Sequence, residues 1–348
     1  GVRGIALELI KSYLSQRQQA VIVDIFKSNN LNCTCGVPQG SILGPLLFLV
    51  YINDLANALD RTFPIMYADD TNIFLSGESI HEMTSIFNNE LKKLRQWFIV
   101  NRLSLNLSKT HTILFSLNRH ERNVKLNIKI DNNLIETVER TTFLGVKINR
   151  HLGWEDHIQH ITSKISKSTG IIKKLSTVVN QQTLRMLYFS LIYPYLTYCN
   201  IIWGNACPTH LNRVLLQQKR VVRIIFNVPS RTHTQTLFQI LNILRIEDLY
   251  TYSCALFIYR LNSNFFPTSF SNIISRYLTP RTTPYHTRST YRELVEIPYC
   301  RTSMRQKSLA YAIPNIYNNV LIPNNLLSCP TIHTFKRAVR RHLLSTYL

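Results

Sequence analysis

Two adjacent carboxylates, Asp69 and Asp70, stand between apolar runs in Ile65-Met66-Tyr67-Ala68-Asp69-Asp70-Thr71-Asn72-Ile73-Phe74. Ile65–Tyr67 and Ile73–Leu75 have the β-branched and aromatic make-up of strands, and the four residues Ala68–Thr71 suit a tight turn. The predicted element is a hairpin with two acids at its tip. Asp is disfavoured inside strands, so the pair needs a reason. Turn chemistry is one, since Asp is common in turns and tolerates left-handed backbone. A divalent cation is the other, because a carboxylate on a rigid hairpin is a hard oxygen ligand suited to Mg²⁺. The tetrapeptide alone does not choose between them.

A second stretch lies upstream, Gly36-Val37-Pro38-Gln39-Gly40-Ser41-Ile42-Leu43-Gly44-Pro45. Gly36 and Gly40 let the backbone approach a ligand closely, and Pro38 stiffens the loop between them. Ser41 suits the cap of a helix predicted over Ile42–Leu59, and an exposed loop at a helix start suits a triphosphate. Read alone, it is better taken as a plain capped loop, because Gly-rich loops are common. In this order and spacing the two stretches resemble the reverse transcriptase signature. More narrowly, they are similar to the polymerase of non-LTR (LINE-like, jockey-like) retrotransposons.

That resemblance implies a reaction and a set of roles. The primer 3′-hydroxyl would attack the α-phosphate of a dNTP, copying an RNA template onto a DNA primer or target, with two Mg²⁺ ions in the site. Asp69 and Asp70 would be the metal-binding and catalytic pair, Asp69 the direct ligand and Asp70 its support, because successive strand side chains point opposite ways. Pro38, Gln39 and Gly40 would contact the nucleotide. Lys109, in Leu103-Ser104-Leu105-Asn106-Leu107-Ser108-Lys109-Thr110, resembles the family lysine near the phosphates and would give a proton to leaving pyrophosphate. Phe143, Leu144 and Gly145, in Thr142-Phe143-Leu144-Gly145-Val146-Lys147-Ile148, resemble the primer grip. The family location is intracellular, in nucleus and cytoplasm.

The chain opens Gly1-Val2-Arg3-Gly4 without a Met, so a C-terminal fragment is expected. The family's first catalytic carboxylate, its steric-gate aromatic and most of the fingers would lie upstream. Asp24, in an edge-like strand, and Asp54, toward a helix end, are earlier acids that lack the family's context. Residues 1–348 alone are therefore expected not to extend a primer. Two other readings stay open: a nucleic-acid-binding remnant of a retroelement without catalysis, and a group II intron-type maturase.

The elements that must position these residues follow from pattern and composition. The chain has 348 residues, 45% of them hydrophobic, and a net charge of +21. Its longest apolar run, Ile42–Ile52, is interrupted by Gly44 and Pro45 and is too short to span a membrane. Residues 1–150 hold 17 Lys and Arg against 13 Asp and Glu, whereas residues 151–348 hold 23 against 6. Such a shortage of acids suggests a polyanionic partner. Seven scattered Cys without secretory context suggest a reducing compartment, and the spacing of Cys199, Cys207 and His210 fits no recognised zinc pattern.

The predicted fold class is α+β: a truncated polymerase palm, an antiparallel sheet with helices on one face, then a mostly helical thumb and helical C-terminal region. The predicted division is 1–150 partial fingers and palm, 151–230 thumb-like, and 231–348 basic and mainly helical. Ser79-Ile80-His81-Glu82 is a capping box opening a helix to about Asn101. A hairpin is predicted over Val124–Val138. Ile158, Ile161, Ile165, Ile172 and Leu175 repeat at helical intervals, with Lys164, Lys167, Lys173 and Lys174 mostly off that stripe. His157 and His160 read as a solvated helix start. Arg220 and Arg223 on a helix over Leu211–Phe226, and Lys336, Arg337, Arg340 and Arg341 on one over Thr331–Leu344, are further candidate RNA or DNA contacts. A basic loop-like segment is expected at Arg281–Arg292.

Overall fold

Apolar residues at three- and four-residue intervals set the helices of this chain, and its strands are short segments between turns. A computed structural model describes the chain except for Cys35, Gln39, Leu348 and residues 117–120, 122–123 and 282–293. It is α+β, helices joined to small ladders of two strands. Two compact units divide it: Gly1–Thr112 with His120–Val138, and Ile113–Arg119 with Glu139–Leu348.

The first unit opens with α1 (Ile5–Leu14) and β1 (Arg17–Gln19). A small hairpin of β2 (Ile22–Val23) and β3 (Phe26–Lys27) follows, and β4 (Leu31–Cys33) then returns antiparallel to β1. The edge-like strand expected to carry Asp24 breaks at that residue, whose φ of 53° turns the chain. The helix expected over Ile42–Leu59 also stops early. It forms α2 (Leu43–Ile52), and after Asn53 and Asp54 a 3₁₀ turn covers Leu55–Ala58. Asn and Asp compete for their own backbone and interrupt helices.

Next come β5 (Phe63–Tyr67), β6 (Asp70–Phe74) and α3 (Ile80–Val100). Ser79 caps α3 by accepting the Glu82 N–H at 3.4 Å. Leu91, Leu94 and Phe98 of α3 join Leu55, Leu59, Ile128, Ile130 and Ile135 in the core of this unit. After a 3₁₀ turn at Leu107–Lys109, β7 (His111–Thr112) runs parallel to β10 (Glu136–Thr137), while β8 (Lys129–Ile130) and β9 (Asn133–Leu134) close a hairpin. Asp131 and Asn132 both have positive φ at its turn, as such hairpins favour.

In the second unit β11 (Arg140–Phe143) pairs antiparallel with β12 (Val146–Asn149). Helices follow: α4 (Glu155–Leu175), α5 (Gln181–Leu191), α6 (Tyr193–Thr197), α7 (Asn200–Trp203), α8 (Pro208–Phe226), α9 (Gln235–Ile240) and α10 (Ile246–Asn262). Then come α11 (Thr268–Ile274), α12 (Ser303–Gln306), α13 (Leu309–Ile316) and α14 (Ile332–Ser345). One apolar core runs from Ile158 to Tyr347, so residues 231–347 share it with the helices before them. Buried Gln218 joins α8 to its neighbours: its amide N–H donates to Tyr188 Oη and Leu244 O, and its carbonyl accepts the Ile246 N–H at 2.9 Å. Most of the basic segment Arg281–Arg292 lies outside the described residues.

Candidate active site and nucleic-acid interface

The carboxylate hairpin is tighter than expected. Tyr67 pairs with Asp70, leaving a turn of two residues, Ala68 and Asp69. Ala68 takes a left-handed φ of 51° to close it. The acids are therefore not both in a loop. Asp69 sits at the tip, and Asp70 is the first residue of the return strand. The register sorts the strands into two faces, as the strand period of two requires. Met66 and Ile73 pack against the core, whereas Phe63, Ile65, Tyr67, Asp70 and Phe74 are exposed. Asp69 is exposed as well, and neither carboxylate is engaged by another described side chain.

That donor set suits Mg²⁺, which takes one or two carboxylates, keeps several waters and completes its shell with substrate phosphates. Two exposed carboxylates at the end of one hairpin, engaged by no described side chain, are donors of that kind. Among the described residues no third His, Cys, Asp or Glu converges with them.

What holds this hairpin is a residue sequence reasoning passed over. Glu90 of α3 is buried, and its Oε2 accepts the backbone N–H of Asp60 at 2.8 Å and of Arg61 at 3.0 Å, with the Thr62 hydroxyl at 3.2 Å. Its Oε1 accepts from Lys93 at 2.7 Å. Those three residues lead directly into β5. Burial alone would raise the carboxyl's pKa, but the Lys93 ammonium and the Arg61 and Asp60 N–H groups outweigh it and hold it at about 2. A Glu at the edge of an apolar stripe was the available signal.

The loop before α2 is fixed from α1 and β1. Tyr13 donates to Ser41 Oγ at 2.6 Å, and Arg17 donates to the Gly36 carbonyl at 2.6 Å. Ser41 Oγ in turn accepts the Gly44 N–H at 3.0 Å. Gly36 and Gly40 have φ of 74° and 79°, where a side chain would be strained. Pro38 and Gly40 are exposed; Gln39 lies outside the described residues. Lys109 ends the 3₁₀ turn and is exposed.

In the second unit Phe143 and Val146 close a two-residue turn of Leu144 and Gly145, with φ of 46° and 80°. The start of α4 meets this hairpin. Asp156 pairs with Arg140 at 3.0 Å and accepts from Asn149 at 3.3 Å. His157, expected on a solvated helix start, is buried instead, and its Nδ1 accepts the Lys147 N–H at 3.3 Å. Burial, with His160 and Lys147 nearby, lowers its pKa from 6.5 to about 4. Between those values the unfolded chain binds a proton that the folded chain refuses. The second unit should therefore lose stability as pH falls from about 6.5 to about 4, and changing His157 to Gln should shrink that limb of its urea-melting profile, leaving the part that His160, also lowered by burial, contributes.

Lys164, Lys167, Lys173 and Lys174 are exposed on α4, away from buried Ile158, Ile161, Ile165 and Ile172. Arg220 on α8 is exposed, while Arg223 turns back to donate to the Thr232 carbonyl at 2.9 Å. On α14, Arg337 and Arg341 are exposed one turn apart. Arg340 is half-buried, its guanidinium 5.7 Å from the Tyr252 ring centroid and 3.5 Å from Tyr193 Oη. Among the described residues no helix is long and apolar enough to cross a membrane.

Residues 2–148, which contain the glycine loop, the carboxylate hairpin and Leu144-Gly145, match the reverse transcriptase (RNA-dependent DNA polymerase) family, and this segment is a reverse transcriptase domain. The chain is homologous to polymerases of non-LTR retrotransposons. It is 26% identical over 250 residues to the RNA-directed DNA polymerase from mobile element jockey of Drosophila melanogaster, covering 69% of this chain and 27% of that one. It is 26% identical over 248 residues to the probable RNA-directed DNA polymerase from transposon X-element of the same species, with the same coverage of each. To the probable RNA-directed DNA polymerase from transposon BS it is 28% identical over 250 residues, 69% of this chain and 28% of that one. The chain thus spans about a quarter of the length of these relatives.

Proposed function

We propose that this chain supplies part of the palm and the thumb of a retrotransposon RNA-directed DNA polymerase, which joins dNTPs to a primer 3′-hydroxyl on an RNA template. The observation that carries the reading is the exposed hairpin with two carboxylates that no described side chain engages, inside a reverse transcriptase domain. Two Mg²⁺ ions, when bound, would offset phosphate charge and make the primer hydroxyl a better nucleophile. Asp69, at the tip, would be a direct ligand, and Asp70, on the strand, would support it. Lys109 presents its ammonium to the nucleotide phosphates and gives a proton to departing pyrophosphate. By the resemblance, Gln39 with its neighbours Pro38 and Gly40 would contact the nucleotide, and Phe143–Gly145 the primer end. Among the described residues no third His, Cys, Asp or Glu joins the hairpin pair. A further carboxylate is then required for the second ion, and residues 1–348 by themselves are expected not to extend a primer.

The test is primer extension on an RNA template by residues 1–348 and by the chain extended upstream in its reading frame. Template-dependent, Asp69-dependent synthesis by the extended chain supports the proposal. Tight binding with no synthesis in that chain would favour a nucleic-acid-binding remnant, a reading that the basic second unit also supports. Binding itself makes a separate prediction. Affinity for an RNA–DNA duplex, followed by fluorescence anisotropy, should fall steeply with salt. Changing Lys164, Lys167 and Lys174 to Gln should flatten the log–log slope by about 2 to 3, near 0.9 for each phosphate no longer neutralised. An unchanged slope removes α4 from the interface.

A further inference from the structure

A ribbon of two four-residue strands is marginal by itself, so the tip of the Arg140–Asn149 hairpin needs an outside hold. It has one, built from residues about fifty positions later. Tyr198, between α6 and α7, donates its hydroxyl to the Leu144 carbonyl at 2.5 Å. Its ring lies against the turn: a Cβ placed on Gly145 would be 3.6 Å from Tyr198 Cε1. The Tyr198 backbone is fixed in its turn, because Trp203 Nε1–H donates to the Tyr198 carbonyl at 2.9 Å. The intervening Cys199 takes a left-handed φ of 49°, which brings Trp203 back under Tyr198. Trp203 is fully buried and meets His157 edge-on, with ring centroids 5.5 Å apart. His157 then accepts the N–H of Lys147 in the return strand. These interactions form a closed circuit that grips the hairpin at its tip and again three residues further on, in β12.

We infer that Tyr198, Trp203 and His157 are positioning residues that set the Leu144-Gly145 turn in the shape in which it meets the primer end. The inference rests on the proposed role of that turn as a primer grip. The circuit is costly for a purely structural brace. It keeps a phenol half-exposed at the rim of the turn and holds a non-glycine residue in left-handed backbone. A fixed turn is what alignment demands, because a misplacement near 1 Å at a reacting centre costs about a hundredfold in rate.

Two measurements on residues 1–348 test this. Hydrogen exchange of the 144–146 amides asks whether the circuit holds the turn. Tyr198→Phe keeps the ring and loses the donor, so exchange there should rise about fivefold, the loss expected of one hydrogen bond, with global melting unchanged. His157→Phe keeps the ring against Trp203 and loses the acceptor, and should loosen Lys147 in the same way. Crosslinking from a 4-thiothymidine at the primer 3′ end asks what the turn does. The unaltered chain should crosslink at residues 143–146, and Tyr198→Phe should cut that yield at least threefold while duplex affinity stays within twofold. Unchanged exchange in both variants overturns the circuit. Crosslinks of the unaltered chain that map elsewhere overturn the primer-grip reading on which its role rests. Crosslinks at 143–146 that Tyr198→Phe leaves intact, despite faster exchange, overturn the positioning role alone. A parallel fall of affinity and melting temperature, without selective loss at the turn, would reduce Tyr198 to a structural residue.

Discussion

Asp69→Asn should lower primer extension at least a thousandfold in the chain extended upstream, with no loss of folding stability. Asn keeps the shape of Asp and removes its charge. Asp69 is exposed at a turn and unengaged by any described side chain, so the fold should respond within about 0.5 kcal/mol. Relief of repulsion between neighbouring carboxylates acts in the stabilising direction. The activity answers to a different term. Metal-assisted stabilisation of transition-state charge is worth several kcal/mol, and about 4 kcal/mol corresponds to a thousandfold. Asp70→Asn should cost less, roughly tenfold to a hundredfold, the usual effect of losing a partner that orients a ligand. Single-turnover incorporation of one dNTP separates these values from product release. If Asp70→Asn proves the more damaging, the two roles exchange. If both variants extend normally, the hairpin is not the metal site.

The parts of this site that local chemistry dictates are legible in the sequence. The order of glycine loop, paired acids and Leu-Gly strand points to the domain, because each is a short segment whose residue types can be read locally. The long helix α3 can be placed within a residue or two from its cap and apolar spacing, and the apolar stripe marks the body of α4. What stays hidden depends on partners distant in sequence. Glu90 looks like a solvated helix acid until the loop at 60–62 returns and hands it two backbone N–H groups. His157 looks like a surface histidine until β12 folds over it. Arg223 and Arg340 belong to basic clusters in the sequence, yet each also touches its own fold. Charge counting measures how much cation a surface carries, but not which cations the protein has already engaged.

Glu90 yields the second large effect, and it bears on the site as well as on stability. Its side chain is 3% exposed and holds the segment that feeds β5, and therefore the strand that ends at Tyr67 beside Asp69. Glu90→Ala leaves two backbone donors without their acceptor and should destabilise the first unit by about 2 kcal/mol. Glu90→Gln keeps a neutral acceptor and loses the attraction to Lys93, so a smaller loss is expected. The sign of the pH effect follows from the lowered pKa. The contribution is complete above the ordinary carboxyl value of 4.5 and disappears as pH falls toward about 2, because the unfolded chain takes up the proton first. Trp97 is the tryptophan of the first unit, with Trp154 and Trp203 both in the second, so a 5-fluorotryptophan resonance at Trp97 can follow urea unfolding of this unit separately. The unaltered chain should lose stability at Trp97 between pH 4.5 and 2, and Glu90→Ala should start lower and show a weaker dependence over that range. Identical melting of the two chains at neutral pH would mean that the loop at 60–62 holds β5 without Glu90. The expected drop, accompanied by faster exchange of the Tyr67 and Asp70 amides, would tie the placement of the acidic tip to one buried carboxylate on α3.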